Sequence, residues 1–182
     1  MKNLKEILKI GGILFAITAI SAFLLAVVNS VTEPVIAKNQ LEKTYKAMDK
    51  LMPAKSFSEI EAEGTEAYAA YGDDGEIIGV CIITSSFGYG GEVKVLTGVD
   101  KSMKVTGIDI LSHSETPGLG ANATKPDFKN QFSGKTSGIS VAKKAPAENE
   151  IQAMSGATIS SKAVTDAVNK ALELAGGVLG EN

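Results

Sequence analysis

The chain opens on a long apolar block and then alternates, and that contrast sets the expected architecture. Residues 10–28 run for 19 positions without a charge, about 28 Å as a helix and close to a bilayer's hydrocarbon core. Thr32-Glu33-Pro34 then reads as a helix start with proline at the first helical position. Leu41, Tyr45, Met48 and Met52 follow at helical spacing and stop at Pro53. Such a stripe suits a core or a stalk seam better than a cofactor contact. Residues 57–64 are acidic and are expected to form a surface connection.

From Ala67 the period shortens to two. Residues 67–71, the turn Asp73-Asp74-Gly75 and residues 76–84 predict strand, hairpin and strand. Residues 92–99 and 104–111 predict a second pair around Asp100-Lys101-Ser102. Val93, Val95, Thr97 and Val99 alternate with Glu92 and Lys94, as in a sheet with one covered face. A short helix is expected over 126–132 and a strand over 138–143. In a final helix Val164, Ala167, Val168, Ala171, Leu172 and Ala175 share one face. This order predicts an α+β fold: a single N-terminal transmembrane helix, then a mainly antiparallel sheet flanked by helices. The expected segments are a membrane anchor over 1–30, a connecting helix over 31–56 and a globular domain over 57–182.

Composition then removes several function classes. Net charge is −3 and all 18 basic residues are lysine, with no basic block, which argues against nucleic acid as a partner. Aromatics make up 5% with no tryptophan, so platforms for stacking bases are scarce. Cys81, the sole cysteine, excludes an internal disulfide and reads as a buried small hydrophobe. With His113 the sole histidine, zinc-ligand spacing is absent and no metal site is expected. A Gly-x-Ser-x-Gly elbow is missing too, so a hydrolase triad is a poor reading and no catalytic residue is assigned.

Charge also orients the apolar segment. Lys2, Lys5 and Lys9 precede it, whereas Lys38 and Lys43 follow, which favours a cytoplasmic N-terminus and places the rest of the chain outside. The segment is longer than the apolar region of a secretory signal and lacks an A-x-A site at its end, so a retained anchor is expected. Gly11, Gly12, Ser21 and Ala22 suit close packing against other membrane helices, although such residues are common in any anchor.

Three stretches carry candidate chemistry. Ser155-Gly156-Ala157-Thr158-Ile159-Ser160-Ser161 leads into the final helix. Thr158 therefore sits at a helix N-terminus, where free N–H groups and the helix dipole favour an anion. The alternative is that Ser155, Thr158 or Ser160 simply caps the helix. Gly88-Tyr89-Gly90-Gly91 joins two strands, either as a close approach to a ligand or as a loose hairpin loop. His113-Ser114-Glu115-Thr116-Pro117-Gly118-Leu119-Gly120 contains a Pro-Gly turn and two titratable groups, and serves either as a binding loop or as a structural turn. His113 is either a proton donor or a turn residue bonded to backbone.

These motifs together resemble the FMN-binding domain family. Ser-Gly-Ala-Thr at 155–158 is similar to its flavinylation motif, Glu-Thr-Pro-Gly-Leu-Gly at 115–120 to a second signature, and Gly-Tyr-Gly-Gly at 88–91 to its Gly-Tyr-x-Gly element. With the anchor in front, the resemblance spans roughly the whole chain. Within the family it is most similar to the G subunits of Rnf ion-translocating oxidoreductases. The C subunits of Na+-translocating NADH:quinone reductases share the domain but are typically longer.

The resemblance implies that residues 57–182 are an FMN-binding domain and that FMN is esterified through its phosphate to Thr158 by a flavin transferase. Ser155, Gly156, Ala157 and Ser160 would lie about the phosphate, with Lys162 one turn on. Glu115, Thr116, Pro117, Gly118, Leu119 and Gly120, and Gly88, Tyr89, Gly90 and Gly91, would border the flavin. One position departs from the transferase motif: Gln152 stands where an aspartate is usual. The implied protein is a single-pass subunit of the cytoplasmic (inner) membrane. It relays electrons between ferredoxin and NAD+ in a Na+ or H+ pump, with the other membrane and cytoplasmic subunits as partners. The alternatives are a C-type subunit of the quinone reductase or a stand-alone extracytoplasmic electron-transfer or sensor module.

Overall fold

The structure, a computed structural model, describes residues 2–180. Met1, Glu181 and Asn182, which end the expected segments, lie outside the described residues, as do the side chains of Lys2 and Asn3. The chain forms two compact units, one up to Glu42 and one from Lys43.

The first unit is helix α1, which spans Lys2–Leu51 and so runs on into the second unit. Its apolar part has a mean hydropathy of 2.5 and is long and apolar enough to cross a membrane. Hydroxyls along it are satisfied internally: Thr18 donates to the carbonyls of Leu14 and Phe15, and Thr32 to that of Val28 at 2.8 Å. Back-bonding of this kind lets hydroxyls lie in an apolar environment. Thr32-Glu33-Pro34 does not start a second helix, contrary to expectation, because Pro34 lies inside α1. Proline removes one intrahelical bond, and a helix of 50 residues absorbs that loss.

The second unit is built on five antiparallel strands in sequential order: β1 Ser56–Ala62, β2 Thr65–Tyr71, β3 Ile77–Phe87, β4 Glu92–Asp100 and β5 Val105–Ser112. The acidic stretch at 57–64 is thus a strand and its turn, not a surface connection. Glu59 and Glu61 project from the exposed face of an edge strand, while Ile60 and Ala62 point into the core. Charges at such an edge discourage pairing with another chain. Glu63 and Gly64, both at positive φ, close the two-residue hairpin. The turns at Asp73-Asp74-Gly75 and Asp100-Lys101-Ser102 fall as expected, and Asp100 Oδ1 accepts from the Ser102 and Lys104 amides.

Each face of the sheet is covered. Helix α3, Thr158–Gly180, packs its stripe of Val164, Val168 and Leu172 onto Val80, Ile82, Val93, Val95 and Val99. The Thr84 hydroxyl reaches across to the Ala167 carbonyl at 2.8 Å. The other face receives the end of α1, where Met48 and Met52 are buried with Tyr68, Cys81, Ile83 and Leu96. Tyr45 stays half-exposed and meets Tyr68 edge-on at 5.9 Å. Gly79, Gly98 and Gly107 on three adjacent strands leave the groove in which Leu51 and Met52 lie.

After β5 come a 3₁₀ turn at Gly120–Thr124, helix α2 at Pro126–Lys129 and a second 3₁₀ turn at Asn130–Phe132. Strand β6, Ser140–Ala142, pairs in parallel with β7, Glu150–Gln152. β7 is not among the strands expected from the sequence. Its backbone is held by the Gln131 side chain, whose Oε1 accepts from Gln152 N at 2.7 Å.

Two features give stability predictions. Thr97 is fully buried on the α3 face and its hydroxyl has no hydrogen-bond partner. Thr97→Val keeps the shape and removes an unpaired polar group, so we expect stabilisation of about 1 kcal/mol, read as a higher urea midpoint. Burial raises the Cys81 thiol from the ordinary 9.0 to about 12. The folded state therefore keeps this proton to higher pH than the unfolded state. The resulting stability is complete below pH 9.0 and is lost as pH rises towards about 12. Native protein at pH 8 should resist maleimide, and unfolding in urea should make Cys81 reactive.

Candidate functional site

Three segments meet at one end of the sheet. The loop Gly88–Gly91 closes the β3–β4 hairpin, the segment from His113 leaves β5, and the turn before α3 arrives from β7. Gly88 N–H donates to Gly91 O at 2.8 Å, which closes the first loop. In the second, Leu119 N–H donates to Thr116 O at 3.1 Å around Pro117 and Gly118. Gly118 has φ +78°, so this is a turn with proline at its first central position and glycine at its second.

In the third segment the hydroxyl that holds the turn is that of Ser161, a role its sequence context does not reveal. It donates to Ala157 O at 2.9 Å and accepts from Met154 N at 3.0 Å. The amide of Ser161 also donates to Ala157 O at 3.0 Å, so the Thr158, Ile159 and Ser160 amides precede the first intrahelical donor. Ser160 turns inward to Glu115. Among the described residues no side-chain hydrogen bond engages the Thr158 hydroxyl, so Thr158 opens α3 without capping it.

Between the segments lies a cleft of about 520 Å³, within the usual range for small-molecule sites. Its wall contains Tyr89, then Glu115, Thr116, Leu119 and Gly120, then Gly156, Ala157, Thr158 and Ser160. Ile159, which sequence reasoning passed over, joins them. Ser155 instead faces a neighbouring hollow with Gln131 and Gln152. Gly88, Gly90, Gly91, Pro117 and Gly118 shape the loops without lining the cleft. Lys162 is exposed one turn along α3.

Tyr89, Leu119 and Ile159 are the apolar walls, and all three are unusually exposed for their size, Tyr89 at 74%. Glu115 is the opposite case. It is only 6% exposed, and both its oxygens accept hydrogen bonds, from Gly90 N at 3.1 Å and Ser160 Oγ at 2.6 Å. His113 lies off the cleft wall, and its Nδ1 accepts from Glu115 N at 3.2 Å. Of its two sequence readings, the structure displays the backbone-bonded turn residue.

An apolar cleft with an uncommitted hydroxyl and free helix amides at one end has the donor set for a planar ligand with an anionic tail. Residues 88–173 match the FMN-binding domain family, so the class is that of a flavin-binding α+β domain. Residues 1–51 match the RnfG N-terminal region. The chain is 36% identical over 191 residues to the G subunit of the Na+-translocating ferredoxin:NAD+ oxidoreductase complex of Acetobacterium woodii, covering 93% of this chain and 92% of that one. It is 38% identical over 156 residues to the G subunit of the proton-translocating complex of Clostridium ljungdahlii, covering 85% and 83%. The chain belongs to this family of G subunits of ion-translocating ferredoxin:NAD+ oxidoreductase complexes. Among solved structures it resembles the C subunit of the Na+-translocating NADH-quinone reductase of Parabacteroides distasonis. That likeness has a TM-score of 0.54 at 28% identity over 63% of this chain and 62% of the other.

Proposed function

We propose that the protein carries FMN covalently, as a phosphoester on the Thr158 oxygen, and relays electrons between ferredoxin and NAD+ within an Na+- or H+-translocating complex. The observation that carries the reading is the free Thr158 hydroxyl, set at the start of α3 where all three motif segments meet. Formation of the ester takes the hydroxyl proton, makes one oxygen–phosphorus bond and expels the leaving group of the flavin donor; a flavin transferase supplies that donor. The phosphodiester keeps one negative charge, which the Thr158, Ile159 and Ser160 amides and the helix dipole stabilise. Tyr89, Leu119 and Ile159 would supply the apolar contacts to the ring. Flavin supplies one- and two-electron redox chemistry when bound, and the chain supplies binding and orientation.

The lysine bias around α1 supports a cytoplasmic N-terminus and a flavin domain outside, with the anchor in the cytoplasmic membrane. A covalent link suits that compartment, where lost FMN is not readily replaced. The match of residues 1–51 supports this complex over the quinone reductase that shares the domain. The two relatives are named for different ions, so the coupling ion here is Na+ or H+.

The test is in-gel fluorescence of the purified, denatured chain, followed by mass mapping of the tryptic peptide 145–162. A fluorescent band with the FMN phosphoester on Thr158 is the expected result. A dark band, from cells with an active transferase, would overturn the covalent claim and leave reversibly bound flavin.

A further inference from the structure

Glu115 lies on the cleft wall, yet its carboxylate is already committed to the protein. We propose that it is a positioning residue: it straps the Gly88–Gly91 loop to the start of α3 and so fixes the distance between Tyr89 and Thr158. The strap has two arms. Oε1 accepts from the Gly90 amide at 3.1 Å, one residue past Tyr89. Oε2 accepts from the Ser160 hydroxyl at 2.6 Å, two residues past Thr158. With one bond on each oxygen and Glu115 only 6% exposed, the carboxylate is tied to the protein on both sides. Its own main chain is held in turn, through Glu115 N–H to His113 Nδ1 at 3.2 Å.

The surrounding glycines fit this role. A Cβ on Gly88 would fall on Glu115 Oε1, and one on Gly120 would fall on Glu115 Oε2 and Ser160 Oγ. At Gly90 a Cβ would collide with the Ser114 carbonyl and lie 3.1 Å from Glu115 Cα. Two of the three motifs, at 88–91 and 115–120, therefore omit side chains next to Glu115. Their glycines make room for the strap. Two charge-assisted bonds in a site shielded from water hold the loops more firmly than neutral contacts would.

The importance of the strap rests on reading Thr158 as the flavin-bearing residue, but its existence is tested without flavin. The full-length chain is produced without a transferase, placed in detergent micelles, and followed by amide hydrogen exchange at Gly90. Glu115→Ala should raise that exchange about tenfold, as expected when one buried charge-assisted bond is lost. Glu115→Gln should stay near wild type, because its oxygen still accepts from Gly90 and its amide donates to Ser160. Ser160→Ala removes only the far arm and makes no change at Gly90. It should still raise Gly90 exchange, because the carboxylate is then free to swing. Unchanged Gly90 protection in Ser160→Ala, or glutamine behaving as alanine does, would overturn the proposal.

Matured with the transferase, the wild type should carry flavin that rotates with the domain, and Glu115→Ala flavin of lower fluorescence anisotropy. A dark wild type would defeat the reading of Thr158 and leave the exchange result on the strap standing. Equal anisotropy in labelled wild type and Glu115→Ala would defeat the strap alone.

Discussion

Thr158→Ala is expected to yield protein with no flavin fluorescence after denaturation, and Thr158→Ser to retain the label. On the proposed reading this hydroxyl is the attachment point, and the nearby hydroxyls are spoken for: Ser160 donates to Glu115 at 2.6 Å and Ser161 to Ala157 O at 2.9 Å. Ser155 lies on the far side of the turn, in the neighbouring hollow. None is placed to substitute, so the loss should be complete. Stability provides the internal control. Removing a capping hydroxyl costs about 1 kcal/mol. Thr158 makes no such bond, and Thr158→Ala should therefore shift the urea midpoint by no more than an ordinary surface substitution, within about 0.5 kcal/mol. A label that survives in Thr158→Ala would place attachment elsewhere. A cap-sized stability loss would mean that the hydroxyl serves the helix.

The legible parts of the chain are those where one local rule decides. Period-two alternation placed β4, because Val93, Val95, Thr97 and Val99 all turn to α3. The stripe from Val164 to Ala175 placed α3, since every residue in it is buried. The misread parts are those where tertiary structure overrides a local rule. Glu59 and Glu61 mask β1 because an edge strand displays charge on its open face. β7 has only three residues and is held by a parallel neighbour and by the Gln131 amide, partners remote in sequence. At the site, the motifs located the three loops, but the division of labour among their side chains was hidden. Whether a serine caps a turn, as Ser161 does, or joins a buried carboxylate, as Ser160 does, depends on what lies across the cleft.

Phe132→Ala should be the most destabilising single truncation in the folded domain, at about 3–5 kcal/mol. Phe132 is the largest fully buried side chain, 0% exposed, and it meets Phe128 edge-on at 5.6 Å. Domains of this size hold only about 5–15 kcal/mol in all, so the loss is a large share of the total. Its effect should also reach the site. Phe132 fixes the 3₁₀ turn that carries Gln131, Gln131 holds the Gln152 backbone at 2.7 Å, and β7 leads directly into the Ser155–Thr158 turn. Urea unfolding of the full-length chain in micelles should show a much lower midpoint with an unchanged slope, the mark of lost stability without a change in the surface exposed. Phe132→Leu fills most of the space and should lose less than half as much. Thr97→Val should move the midpoint the other way, in the same core but away from that chain of contacts. Attached flavin per folded molecule should then fall in Phe132→Ala and hold in Thr97→Val. An equal fall in both would mean that the site responds to any change in this core and not to the contacts of Phe132, and an unchanged midpoint in Phe132→Ala would remove Phe132 as the anchor of this wall.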